Sequence, residues 1–121
     1  MAVKNQSFPR RLSFALAGLR FALASERSFR SQLGLGIVGL AALIWLRPPA
    51  VWWALCALAA GGVLAAELFN TALEQALDRL HPDQHAGIRV AKDCAAAAVL
   101  ASSLVALLIG ALTLLVGLGL L

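Results

Sequence analysis

Three runs without a charged residue dominate this chain: 31–46, 48–66 and 94–121. A bilayer core about 30 Å thick is crossed by roughly 20 apolar residues in a helix, which satisfies its own backbone polar groups in lipid. The second and third runs meet that length directly, and the first meets it when extended back through Ser28 and Phe29. A composition of 61% hydrophobic and 13% charged residues, with mean hydropathy +0.86, excludes an ordinary soluble domain. The expected fold is all-α and integral to the membrane, a single domain over 1–121 with transmembrane helices over about 28–46, 51–80 and 91–119.

Before the first run lies a segment of different character. From Ser7 to Ser25, Phe8, Leu12, Ala15, Leu16, Leu19, Ala22 and Leu23 share one helical face, while Arg10, Arg11, Ser13 and Arg20 occupy much of the rest. Ser7 suits an N-cap and Pro9 the first turn. This pattern predicts an amphipathic surface helix over about 7–25, lying in the membrane interface. A cleaved signal peptide is not expected, because the first apolar run begins far from Met1 behind a polar, basic segment.

Charge sets the orientation. Six of the ten Lys/Arg (Lys4, Arg10, Arg11, Arg20, Arg27, Arg30) precede the first span, Arg47 follows it, and Arg79, Arg89 and Lys92 lie between the second and third. The positive-inside rule then puts the N-terminus and the 79–92 connection in the cytoplasm, and Arg47 and the C-terminus outside. The net charge of +4 faces anionic headgroups in this arrangement, so a nucleic-acid partner is not expected. All six acids (Glu26, Glu67, Glu74, Asp78, Asp83, Asp93) fall at the cytoplasmic end or just inside it. Cys56 and Cys94 belong to opposite ends and are too far apart to bridge.

Pro48-Pro49 ends the first span, Trp52-Trp53 suit the outer interface, and His81-Pro82 stop the second helix before a polar loop over 81–90. The second span leaves the bilayer through Glu67, Asn70, Glu74 and Asp78, which fall within about 80° of one another on a helix. Glu67 sits at the inner hydrocarbon boundary, where desolvation disfavours its charged form and suits it to act as a general base on a hydroxyl at headgroup depth. Glu74 and Asp78 lie further out, in water. Glu74 with Glu26 could hold Mg²⁺, which takes one or two carboxylates plus phosphate oxygens. Lys92, Arg79 and the N-terminal arginines supply cations for polyphosphate, and Asn70 can hydrogen-bond between the two zones. A base beside a lipid hydroxyl and a metal–phosphate site in water compose a phosphotransferase. The chain has no Walker motif and no kinase Gly-rich loop, so any nucleotide is held on another scaffold.

The segment Ala66-Glu67-Leu68-Phe69-Asn70-Thr71-Ala72-Leu73-Glu74, then Asp78-Arg79, and Ala91-Lys92-Asp93-Cys94 with the alanines after it, resemble the signature of the small prokaryotic diacylglycerol kinase family, which includes undecaprenol kinases. Gly18-Leu19-Arg20 and the stretch from Glu26 to Arg30 fit it too, so the similarity covers nearly the whole chain. The resemblance implies a homotrimer in the bacterial inner membrane, with sites between subunits on the cytoplasmic side. By resemblance Glu67 is the catalytic base, Glu26 and Glu74 bind metal, and Asn70 meets substrate with Glu67. Nucleotide contacts are implied for Asn70, Glu74, Asp78, Lys92 and Asp93, with Arg10, Asp83 and His85 on the ATP side. Ser31 and Gln32 stand where some relatives carry another acid, and Ala96 where some diacylglycerol-type members have Ser.

The implied reaction moves the γ-phosphate of Mg-ATP to a membrane lipid alcohol, diacylglycerol as first reading and undecaprenol as the alternative. Two readings of another class stand beside it. A small multidrug-type exporter also uses one membrane-embedded Glu, but near the bilayer midplane. A non-catalytic membrane adaptor leaves the acidic stripe unexplained.

Overall fold

The computed structural model describes residues 5–83 and 85–121; Lys4 of the N-terminal cation cluster and Gln84 of the polar loop lie outside them. The described chain is helical, in the order α1 (Phe8–Ser25), α2 (Arg27–Leu46), α3 (Ala50–Leu80) and α4 (Ala86–Gly117). The last three are long and apolar enough to cross a membrane. At 1.5 Å per residue α2 is roughly 30 Å long, a bilayer's hydrocarbon thickness, whereas α3 and α4 run to roughly 46 and 48 Å. The two longer helices therefore project well beyond the hydrocarbon, and they project as an antiparallel pair packed along its length.

Each connection has a local cause. Glu26 leaves helical geometry (φ −108°, ψ 107°), and its N–H donates to the Ala22 carbonyl at 2.9 Å while its own carbonyl accepts from Arg30 N–H at 3.2 Å. One residue thus ends α1 and starts α2. The Arg30 guanidinium turns back and donates to the carbonyls of Leu23 (2.9 Å) and Ala24 (3.2 Å), placing a cation on the negative end of α1. After α2, Arg47 takes the left-handed conformation (φ 50°), and Pro48-Pro49 prevent continuation. Trp53 Nε1 then donates to the Pro48 carbonyl at 3.2 Å, fastening the corner to the first turn of α3.

Two details depart from expectation, and the helix glycines add a third finding. Ser7 holds the N-cap position of α1 with Pro9 just inside, yet its side chain makes no capping bond. Helix α4 begins at Ala86, upstream of the Val90–Ala91 start suggested by composition, because His85 Nδ1 accepts from Gly87 N–H at 3.0 Å and caps it. The small residues Gly34, Gly36, Gly39, Gly61 and Gly62 do not mediate close approach within one chain, since a Cβ at any of them would meet nothing within 4 Å. Gly117 does: a Cβ there would lie 2.9 Å from Leu46 Cβ, so the end of α4 packs directly on the end of α2.

The interior is thin and partly polar. Ala22, Phe29, Leu43 and Val63 are buried, and with them Glu67, Thr71 and Thr113. Cys56 and Thr113 join α3 to α4 through a 3.3 Å Sγ···Oγ1 contact, and both cysteines are free thiols. Leu35, Ile37, Val38, Leu40, Leu58, Leu104 and Leu107 are exposed, as expected of helices whose surroundings are lipid or protein rather than water. The chain is a multi-pass membrane protein.

Candidate active site

The corner at Glu26 determines what meets Glu67. Because α2 starts at Arg27, Ser28 stands in its first turn, and the buried Phe29 beside it holds that turn against the rest of the chain. On α3, Val63, Glu67 and Thr71 recur every four residues and form one buried face. The Ser28 hydroxyl donates to Glu67 Oε1 at 2.5 Å, bridging 39 residues of sequence. Glu67 is 3% exposed, so this carboxyl is enclosed already within one chain. Ser28 is a functional candidate that sequence reading missed. It carried no periodicity or charge signal, and its relation to Glu67 exists only once the α1–α2 corner is formed.

Asn70 lies one turn further along α3 and about 60° round the helix from Glu67. Its Oδ1 is buried with no hydrogen-bond partner among the described residues. An unmade bond on a buried acceptor costs about 1–3 kcal/mol. The residue lines an apolar cleft of about 440 Å³ between α3 and α4, with Ala66, Phe69, Leu73, Ala95 and Ala98.

At the end of the α3–α4 pair a second cleft, of about 470 Å³, is lined by Asp78, His81, Pro82, Asp83, His85, Ala86, Ile88, Arg89 and Lys92. That volume is within the usual range for small-molecule sites. The structure brings together four of the expected nucleotide-side residues here: Asp78, Asp83, His85 and Lys92. Lys92 Nζ sits 2.5 Å from Asp78 Oδ1 and ties α4 to α3. Arg89 Nε is 3.3 Å from Asp93 Oδ1, one turn along the same helix. His81 and Arg89 join the cleft without having been assigned a nucleotide role from sequence, since one served as a helix stop and the other as an orientation charge. Arg10, in the first turn of α1, does not line it, and neither do Asn70 and Glu74.

Glu26 is half-buried at the α1–α2 corner and makes no side-chain capping bond, which leaves its carboxylate uncommitted to capping. Glu74 is half-buried two turns beyond Glu67. Among the described residues no cluster of three or more metal-ligating side chains occurs. Carboxylates of this kind are the ligands Mg²⁺ takes alongside water and phosphate oxygens, so the chemistry of Glu26 and Glu74 is compatible with that cation. Glu67 and Asp78 are separated by about 16 Å along α3, so the enclosed carboxyl and the charged cleft form two zones within one chain.

Residues 13–114 match the family model described as prokaryotic diacylglycerol kinase. That range contains every candidate above except Arg10. A curated diacylglycerol kinase from Synechocystis sp. is 37% identical over 98 residues, covering 80% of this chain and 56% of the relative. The chain thus spans little more than half that relative's length. No solved structure matches it significantly.

Proposed function

The chain belongs to the prokaryotic diacylglycerol kinase family, and on that premise we propose that it transfers the γ-phosphate of Mg-ATP to the hydroxyl of a membrane lipid alcohol. Diacylglycerol, giving phosphatidic acid, is the acceptor named here; undecaprenol is the competing one. The observation that carries the reading is Glu67: an enclosed carboxyl on a membrane-crossing helix, from which Glu74 and Asp78 lead outward to a charged cleft that holds Arg89 and Lys92. Ionisable groups in such positions are costly and are associated with function.

In this mechanism Glu67 takes the proton of the lipid hydroxyl as its oxygen attacks the γ-phosphorus. The bond from that phosphorus to the bridging oxygen breaks, and ADP leaves with the negative charge. Lys92 and Arg89 bind phosphate oxygens, exchanging their contacts with Asp78 and Asp93 for the ligand. His81, Asp83 and His85 border the rest of the nucleotide, and Asn70 Oδ1 accepts a hydrogen bond from substrate. Glu26 and Glu74 hold Mg²⁺, which neutralises phosphate charge when bound.

Three features support self-assembly with sites shared between subunits, and the family resemblance makes that assembly a homotrimer. The two zones are about 16 Å apart in one chain, apolar helix surface is widely exposed, and the helix glycines are free for contacts with other copies. The cation distribution supports a cytoplasmic N-terminus and α3–α4 turn, and the family resemblance supports a bacterial inner membrane. There α1 lies in the interface, with Phe8, Leu12 and Leu16 exposed for lipid.

The test is γ-phosphate transfer in mixed micelles holding diacylglycerol and undecaprenol at equal mole fraction, read as kcat/KM for each. Transfer to diacylglycerol at the higher kcat/KM supports the reading. A preference for undecaprenol changes the acceptor, and transfer to neither lipid refutes the kinase.

A further inference from the structure

We infer that Ser28 is a positioning residue for the general base: its hydroxyl holds Glu67 Oε1 and so presents Oε2 to the lipid hydroxyl. The inference rests on the kinase reading above and adds to it a residue from outside the acidic stripe.

The geometry is specific. Ser28 Oγ lies 2.5 Å from Oε1, at the short end of the range for an O–H···O hydrogen bond. Among the described residues, Glu67 receives no other hydrogen bond, so one oxygen is fixed and its partner is not. A glutamate has three rotatable side-chain bonds, and an enclosed one without a fixed oxygen samples rotamers in which neither oxygen faces the acceptor. Fixing Oε1 removes that freedom before substrate arrives, which is how orientation lowers a barrier. The backbone that carries the exposed donor is fixed. Ser28 stands in the first turn of α2, whose start is set by Glu26, whose corner is closed by Arg30 on the Leu23 and Ala24 carbonyls, and whose neighbour Phe29 is buried.

The same contact orders the proton transfer. Oε1 accepts the serine proton, so the acceptor's proton goes to Oε2 while the lipid oxygen bonds to the γ-phosphorus and the bond to ADP breaks. After transfer the proton passes from Oε2 to solvent water, which regenerates the carboxylate, and Ser28 neither gains nor loses one over the cycle. Its hydroxyl does not touch the reacting atoms.

Three chains decide it: wild type, Ser28→Ala and Ser28→Thr, each assayed for lipid-dependent γ-phosphate transfer with ATP and lipid varied separately. Ser28→Ala should lower kcat about ten- to a hundred-fold, the range for losing a hydrogen bond to a charged group, with both KM values within two-fold of wild type. Ser28→Thr keeps a hydroxyl at the same place and should restore kcat to within about three-fold. The carboxylate stretching band that Glu67→Gln removes from the infrared spectrum should shift in Ser28→Ala and return in Ser28→Thr. An unchanged kcat or an unshifted band in Ser28→Ala overturns the inference while the kinase stands. So does a loss that Thr fails to restore or that appears in KM. A wild-type chain that phosphorylates neither lipid overturns both together.

Discussion

Replacing Glu67 with Gln separates a base from a packing residue, because the structure assigns opposite signs to the two effects. Gln keeps the shape and the oxygen that accepts from Ser28, and it removes the charge. Weakening that bond from charge-assisted to neutral costs about 1 kcal/mol, the difference between roughly 1.5–3 and 0.5–1.5. Against this, the amide no longer puts a formal charge on the buried face of α3. Glu67→Gln should therefore unfold in detergent at or above the wild-type temperature. Glu67→Ala deletes the acceptor of an exposed hydroxyl, which water can replace, and leaves a void on the buried face of α3, for a loss of about 2–4 kcal/mol. Both variants should lose about 10²–10⁴ in kcat for γ-phosphate transfer, the usual contribution of a general base. Mg-ATP binding, measured by calorimetry on Glu67→Gln, should stay within two-fold of wild type. Transfer within ten-fold of wild type in Glu67→Gln, or a stability loss equal to that of Glu67→Ala, refutes the assignment.

Lys92→Met should raise KM for ATP about ten- to a hundred-fold, as expected for one charged phosphate contact, and lower stability by less than about 1 kcal/mol because Asp78 is largely exposed. The charge exchange Asp78→Lys with Lys92→Asp should regain the stability and not the KM; recovery of both would make the pair structural only. Glu74→Gln should raise the Mg²⁺ concentration for half-maximal transfer at least ten-fold, and a wild-type Mg²⁺ titration would remove Glu74 from the metal site. Gly117→Ala should destabilise by about 1–3 kcal/mol through the clash with Leu46, and a second change, Leu46→Gly, which removes the Cβ that the new methyl meets, should relieve that clash; an unfolding midpoint at or above wild type for Gly117→Ala alone contradicts the packing.

Much of this chain was legible because membrane solvent makes strong demands. Uninterrupted apolar runs announce spans, Pro48-Pro49 announce a stop, and acids at one end mark the costly positions. The α4 start escaped notice because an imidazole acting as N-cap leaves no trace in hydropathy, and it shortened the loop that composition drew to residue 90. Asp78 and Lys92 were both picked out, but their pairing depends on the length and path of the turn between α3 and α4. The burial of Thr71 and Thr113 follows from which faces meet, which periodicity in a uniformly apolar helix does not report.

By itself the sequence determined the helices, their number and the place of the acidic stripe, since each follows from short-range pattern and transfer free energy. Tertiary structure alone decided which neighbour each acid acquired. Residues 28 and 67 meet because a one-residue break at Glu26 turns α2 against α3. Hydrogen bonds between distant residues depend on ångström-scale placement, and only the packed chain fixes that.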